Sequence, residues 1–296
     1  MHDGLLLVDK PAGPTSHDIV ARVRRAAGQR RVGHAGTLDP PATGLLIILL
    51  GAATRLQRYI LGADKTYTFD LVLGRATDTL DMAGQTITEE PVGSVEASDL
   101  LRAAEGLLGE VRLVPPMVSA IHHEGRRLHE IARAGETVER EARPCRIDRL
   151  ESVGHAAPDG DLLRVPMAIE CSSGTYVRSV GEALGEALGV PACIDNLRRT
   201  AIDGWTEGQA RSMEQIEADL VAALRPMAEA VAPLARVDLD TEEERAFLHG
   251  NPVEDVRGDE GERAAFGPSG FLGVGHLTDG WLRPRTVVAR QGRADG

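Results

Sequence analysis

An α+β fold is predicted from three observations. Strand-like and helix-like segments are mixed along the chain without the regular βαβ rhythm of a doubly wound sheet. The hydrophobic content of 42% is enough for a sizeable core. The last stretch of the chain reads as short, Gly-rich strands after an acidic helix. The length, 296 residues, fits two domains at roughly 150 residues each. A boundary is expected between Pro226 and Pro233, giving a unit over 1–230 and a small β-rich module over 231–296.

In chain order, Leu5–Asp9 reads as a strand ending before Pro11. Ser16 is the expected N-cap of a helix closed by Gly28, with Ile19, Val20, Val23 and Ala27 on one face. Gly33 to Gly44 reads as a loop punctuated by Gly and Pro. Leu45–Leu50 is a continuous apolar run of strand length, and Thr54–Leu61 suggests a short helix. From Lys65 to Leu73 the residues alternate, with Tyr67, Phe69, Leu71 and Leu73 on one face, as in a strand buried on one side. Helices are expected over Ser98–Leu108, Arg126–Ala134 and Thr175–Leu188, the last closed by Gly189. Strands are expected over Met117–Ile121 and Leu162–Cys171, whereas Ile194–Ile202 suits either state. Ser212–Leu224 reads as one capped amphipathic helix, and the tail places strands at Phe271–Leu277 and Leu282–Ala289.

Composition removes several classes. The longest apolar run, Leu45–Leu50, falls far short of the ~20 residues that span a bilayer. The beginning, Met1-His2-Asp3-Gly4, has neither a positive n-region nor an apolar h-region, so a cytoplasmic protein is expected. Cys145, Cys171 and Cys193 are odd in number and widely separated, which suits reduced thiols better than a zinc site or a disulfide framework. The net charge of −12 argues against nucleic acid as a partner, but its distribution reverses that argument. Residues 1–62 carry +4, and residues 212–262 carry −10. Local charge sets the field a ligand meets, because screening extends only about 8 Å at physiological salt.

The informative segment runs from Gly33 to Gly44, GHAGTLDPPATG. Its glycines permit unusual backbone angles, and Pro40 and Pro41 stiffen the chain just after Asp39. A carboxylate held there can act as nucleophile or general base, or it can simply form an Asx-turn ahead of a proline.

Six ordered segments carry a resemblance. GHAGTLDPPATGLLIILLGAATR resembles the catalytic motif of the TruB-type tRNA pseudouridine synthases. LLLVDKPAG, DKTYTF, PPMVSAIHHEGRRLHEIARAG, CSSGTYVRSV and NLRRTAI are similar to further motifs of that family, in the same order, between residues 4 and 202. The resemblance implies a pseudouridine-synthase core with a mixed, mainly antiparallel sheet and flanking helices. It also implies an RNA-clamping insertion over about 84–150 and a C-terminal PUA-like module. Asp39 then stands at the catalytic aspartate, Tyr67 at the tyrosine stacked on the target base, and Arg178 at the arginine paired with the aspartate. Tyr176 and Leu197 stand at the uracil pocket, His34 at the RNA-contacting histidine and Lys10 at the lysine of the N-terminal motif, grouped with the substrate-binding residues.

The activity implied is isomerisation of uridine 55 in the tRNA T arm to pseudouridine, by base flipping, with no cofactor, no metal and no protein partner, in a monomer. A basic patch of Arg22, Arg24, Arg25, Arg30 and Arg31, with Arg126 and Arg127, is the expected phosphate contact. His122 and His129 stand where many relatives carry Lys and Tyr, which implies weaker or pH-dependent backbone contacts. Segment 77–84 keeps Asp78 and Asp81 but has Ala83 where some relatives have a third Asp. Alternatives are a guide-RNA-dependent dyskerin-type synthase and a non-catalytic tRNA-binding or folding protein. An unrelated aspartate-dependent glycosidase would need a second carboxylate at a set distance, and the sequence offers no evident partner.

Overall fold

The structure, a computed structural model, describes residues 2–93, 95–119, 122–123, 126–127, 131, 136, 138–254 and 258–288. Apolar strands dominate its centre. Seven of them run side by side in the order Gly4–Lys10, Thr43–Leu50, Ala192–Ile202, Lys65–Leu73, Leu162–Cys171, Arg143–Ser152 and Gly109–Leu113. Three short strands, Val32–Ala35, Ala157–Asp159 and Trp205–Thr206, complete a ten-stranded sheet. Every pairing in it is antiparallel except the two-residue joint of Thr43–Leu50 with Ala192–Ile202. The fold is α+β, as the absence of βαβ alternation implied.

Thr43–Leu50 is buried on both faces, which explains why its sequence is a run and not an alternation. Leu46, Ile48 and Leu50 pack with Ile19, Val20 and Val23 of the helix Ser16–Ala27. Leu45, Ile47 and Leu49 face the other way and pack with Ala230, Val231, Ala264, Val274 and Val288. The latter belong to the C-terminal five-stranded sheet and the turn before it. That sheet runs Ala235–Asp238, Gly261–Gly267, Gly270–Thr278, Trp281–Val287 and Val253–Glu254, with its own small core around Phe247 and Leu272.

Several elements differ from the sequence reading. The N-cap of the first helix is Thr15, whose hydroxyl accepts from the Asp18 amide while Asp18 answers the Thr15 amide. Ser16 is one residue inside and turns its hydroxyl to Leu38. Val32–Ala35 is a strand and not loop, because Thr43–Leu50 offers it a free edge. Met117–Ser119 is bent and not extended, and its Val118 carbonyl is taken by Arg178. Arg126–Arg127 pairs with His122–His123 as two-residue strands at the start of the expected helix Arg126–Ala134, Ile131 is helical, and the other residues of that span, His129 among them, lie outside the described residues. Ser212–Leu224 breaks into Met213–Ala218 and Leu220–Ala223, because Asp219 leaves helical angles to cap the second piece. Ile194–Ile202 resolves as part of the central strand Ala192–Ile202. Two strands, Gly109–Leu113 and Arg143–Ser152, carried no clear apolar alternation and were missed.

Candidate active site

The loop bearing Asp39 is held from three sides. Leu38 is buried, and its amide and carbonyl both meet the Ser16 hydroxyl. The Gly13 amide donates to the Pro40 carbonyl at 2.8 Å. Lys10, fully buried, donates its ammonium to the carbonyls of Pro11, Pro40 and Ala42. Asp39 is left half-buried at the tip. Its own carbonyl closes a turn by accepting from the Ala42 amide at 3.1 Å. The Asp-Pro turn and the poised carboxylate are therefore compatible features of one loop, and not rivals.

The Asp39 carboxylate meets Arg178 at 2.8 Å. Arg178 sits in the first turn of the helix Val177–Leu188 and is 3% exposed. Its guanidinium also donates to the carbonyls of Thr79 and Val118, each at 2.8 Å, so its plane is fixed. Asp81 stands 3.9 Å from the Arg178 Nε and accepts from the Thr79 hydroxyl and the Ala83 amide. The buried Arg178 guanidinium thus lies between two carboxylates.

A cleft of about 260 Å³ opens beside the pair, lined by Asp39, Tyr67, Tyr176, Arg178, Leu197 and Arg199 among others. Asp39, Arg178 and Leu197 also border a second hollow of about 370 Å³ that reaches Asp81 and Asn196. The largest hollow, about 700 Å³, lies elsewhere against Glu182 and Pro191 and contains none of the expected residues except those of the 77–80 turn, so size does not mark the site. Tyr67 is 8% exposed, and burial pushes its phenol upward while Arg199 pulls it back. Tyr176 occupies the N-cap position of its helix; burial raises its phenol against a hydrogen bond with Ser119.

Five of the expected residues thus meet at one place: Asp39, Tyr67, Tyr176, Arg178 and Leu197. Two do not line that cleft. His34 lies on the strand Val32–Ala35 with its ring edge-on to His17, centroids 5.3 Å apart. Burial, then His17 and Arg199, push its imidazole down. Lys10 cannot reach a substrate, because it is enclosed and its donors are spent on the loop. It braces Asp39 from below.

The basic patch is also only partly free. Arg22 pairs with Glu214 and Glu217, Arg24 donates to the Val32 carbonyl, and Arg31 donates to Thr54. Arg25 and Arg30 are exposed. The side chains of Arg126 and Arg127 lie outside the described residues.

Sequence reasoning missed Arg199, Lys65 and the contact of Asp81. Arg199 and Lys65 are 1% and 7% exposed, yet both line the cleft. Both stood inside quoted motifs, and a charged residue at the apolar-facing position of a central strand was the available signal.

Residues 24–177 match the model described as TruB family pseudouridylate synthase, N-terminal domain, and residues 235–288 match pseudouridine synthase II TruB, C-terminal. A tRNA pseudouridine synthase B of Thermobifida fusca is 40% identical over 98% of this chain and 99% of that protein. One from Mycobacterium tuberculosis is 40% identical over 96% of this chain and 95% of its own length. Among solved structures, a chain of an H/ACA RNP bound to a substrate RNA containing 2'-deoxyuridine superposes with a TM-score of 0.74. It is 22% identical and covers 98% of this chain and 86% of its own, a likeness of fold alone. With one family matched across both sheets and relatives alike from end to end, the chain belongs to the TruB family of pseudouridylate synthases.

Proposed function

We propose that this enzyme isomerises uridine 55 in the T arm of tRNA to pseudouridine, as a cytoplasmic monomer with no cofactor, metal or protein partner. The observation that carries the reading is the Asp39–Arg178 pair at 2.8 Å beside a cleft lined by Tyr67, Tyr176 and Leu197. The relatives described above are each called a tRNA pseudouridine synthase B, which supports a tRNA substrate.

The target base is extruded from the folded loop, which costs a few kcal/mol of unstacking. Tyr67 offers a flat face to that base, worth ~1–3 kcal/mol by stacking. Leu197 and Tyr176 close the apolar side of the slot. As the N1–C1′ bond breaks, its electron pair leaves on uracil and positive charge grows on the ribose. The ionised Asp39 carboxylate stabilises or captures that charge. Arg178, at 2.8 Å, holds the carboxylate in place. The uracil then turns and C5 bonds to C1′. The proton on C5 leaves to a base, its bonding pair forms the C5–C6 double bond, the C6–N1 double bond returns its pair to N1, and N1 takes up a proton. The Tyr67 oxygen is the group we assign to proton transfer.

The test is Asp39→Asn. It keeps the shape of the loop and removes the charge. The variant is expected to bind a T-arm transcript within about tenfold of wild type, an allowance of ~1.4 kcal/mol, and to release no tritium from [5-³H]uridine. Turnover by a contaminant-free Asn variant overturns the assignment.

A further inference from the structure

We propose that Arg199 is a positioning residue that holds the Tyr67 phenol and ties it to the loop bearing Asp39; this deepens the reading above and rests on its assignment of Tyr67. Arg199 and Tyr67 are direct cross-strand partners on the two central strands Ala192–Ile202 and Lys65–Leu73. Both side chains line the cleft beside Asp39, and the guanidinium charge opposes the effect of burial on the phenol. The guanidinium is held by the loop. Its Nε donates to the Leu45 carbonyl at 2.7 Å, and one terminal nitrogen donates to the Gly36 carbonyl at 3.1 Å. Gly36 precedes Asp39, and Leu45 follows it. One planar group with donors in a fixed fork therefore joins the start of the loop to its end, directly across the sheet from Tyr67, a geometry that a lysine cannot copy.

The surroundings leave this task to Arg199. The chain holds only two lysines, Lys10 and Lys65, and both are buried close to it. Lys10 is committed to the carbonyls of Pro11, Pro40 and Ala42, and Lys65 to those of Leu61 and Ala63. The other titratable groups facing the phenol are the Cys171 thiol and Asp39, which oppose its ionisation when charged. Arg199 is thus the cation set across the strand from Tyr67 in the same cleft. A buried phenol that must exchange a proton needs such a partner, because desolvation alone disfavours the phenolate.

The experiment labels the protein with [¹³Cζ]tyrosine. Three tyrosines give three signals, assigned by Tyr59→Phe, Tyr67→Phe and Tyr176→Phe. Each signal is titrated in wild type, Arg199→Lys and Arg199→Met. In Arg199→Met the Tyr67 midpoint is expected to rise by about one pH unit or more, with Arg199→Lys in between and Tyr59 unmoved. On a T-arm transcript at saturating RNA, Arg199→Lys is expected to lose about tenfold or more in rate while RNA affinity stays within about threefold. In a Tyr67→Phe background the same substitution should cost little further, because the group it positions is gone. If Arg199→Met does not fold, Arg199→Lys carries the same readouts. An unmoved Tyr67 midpoint in the folded variants overturns the proposal. So does an Arg199→Lys rate loss that persists undiminished beside Tyr67→Phe. Full activity of Tyr67→Phe alone would instead sink the role given to Tyr67, with the titration still reporting whether Arg199 holds the phenol.

Discussion

Lys10 is a charged residue with no access to solvent, and its surroundings set its titration. Burial, partly opposed by Asp39 and reinforced by Arg199, brings its ammonium from 10.5 down to about 8. The unfolded chain therefore binds a proton between about pH 8 and 10.5 that the folded chain does not. Stability gained from this group accordingly rises with pH across that window, and the burden of the buried charge is fully present below pH 8. The difference in unfolding free energy between wild type and Lys10→Met should shift toward wild type as pH is raised from 7 to 9.5, as measured by urea titration. A difference independent of pH would show that Lys10 keeps its ordinary affinity for protons. Arg178 is a contrasting residue. It is enclosed as fully, but both of its carboxylate neighbours and two backbone carbonyls meet it. Asp81→Asn leaves Arg178 with one carboxylate and should slow pseudouridine formation by about tenfold or more without loss of RNA binding, checked by single-turnover tritium release.

Among the elements, the joint between Thr43–Leu50 and Ala192–Ile202 decides where the catalytic loop ends. Gly44 sits there at φ +96, directly against the backbone of Arg199. A Cβ at Gly44 would stand 2.3 Å from the Arg199 carbonyl oxygen, and backbone cannot yield as a side-chain tip can. Gly44→Ala should therefore cost about 2–4 kcal/mol in urea unfolding and reduce activity along with stability. Gly62→Ala provides the comparison, since a Cβ there meets nothing within 4 Å and its φ is negative. The helix Ser16–Ala27 shows the opposite economy. Its capping box starts it, Gly28 ends it in the left-handed region, and one buried face fixes its roll on the sheet.

Over the whole molecule, the acidic stretch does not stand apart from the basic one. Met213–Ala218 packs on Ser16–Ala27, and Glu214 and Glu217 neutralise Arg22. Arg25 and Arg30 remain exposed, and neither has a carboxylate at salt-bridge distance among the described residues. The phosphate-contact reading then moves to those two. Arg25→Ala with Arg30→Ala should weaken T-arm binding and flatten the slope of log K against log salt by somewhat under one unit per lost contact, with turnover at saturating RNA little changed. Arg22→Ala should flatten it less, since Arg22 is already paired. Equal slopes for both variants would place the phosphate contacts elsewhere. No helix among the described residues is long and apolar enough to cross a membrane.

The sequence by itself determined the mixed fold class, the strand alternation at Lys65–Leu73, the glycine stops at Gly28 and Gly189, and five of the residues around the cleft, Asp39, Tyr67, Tyr176, Arg178 and Leu197. These are local properties: periodicity, backbone freedom and ordered motifs survive in one dimension. Tertiary structure alone decided that Lys10 faces inward, that His34 leans on His17 and not into the cleft, and that Arg22 is consumed by residues some 190 positions away in the chain. Each of these depends on which elements pack together, and a residue's own neighbours in sequence do not encode that. Arg199 marks the boundary between the two. Its motif was legible, but its role depends on a register that sets it opposite Tyr67 and beneath Gly36, and only the closed sheet supplies that register.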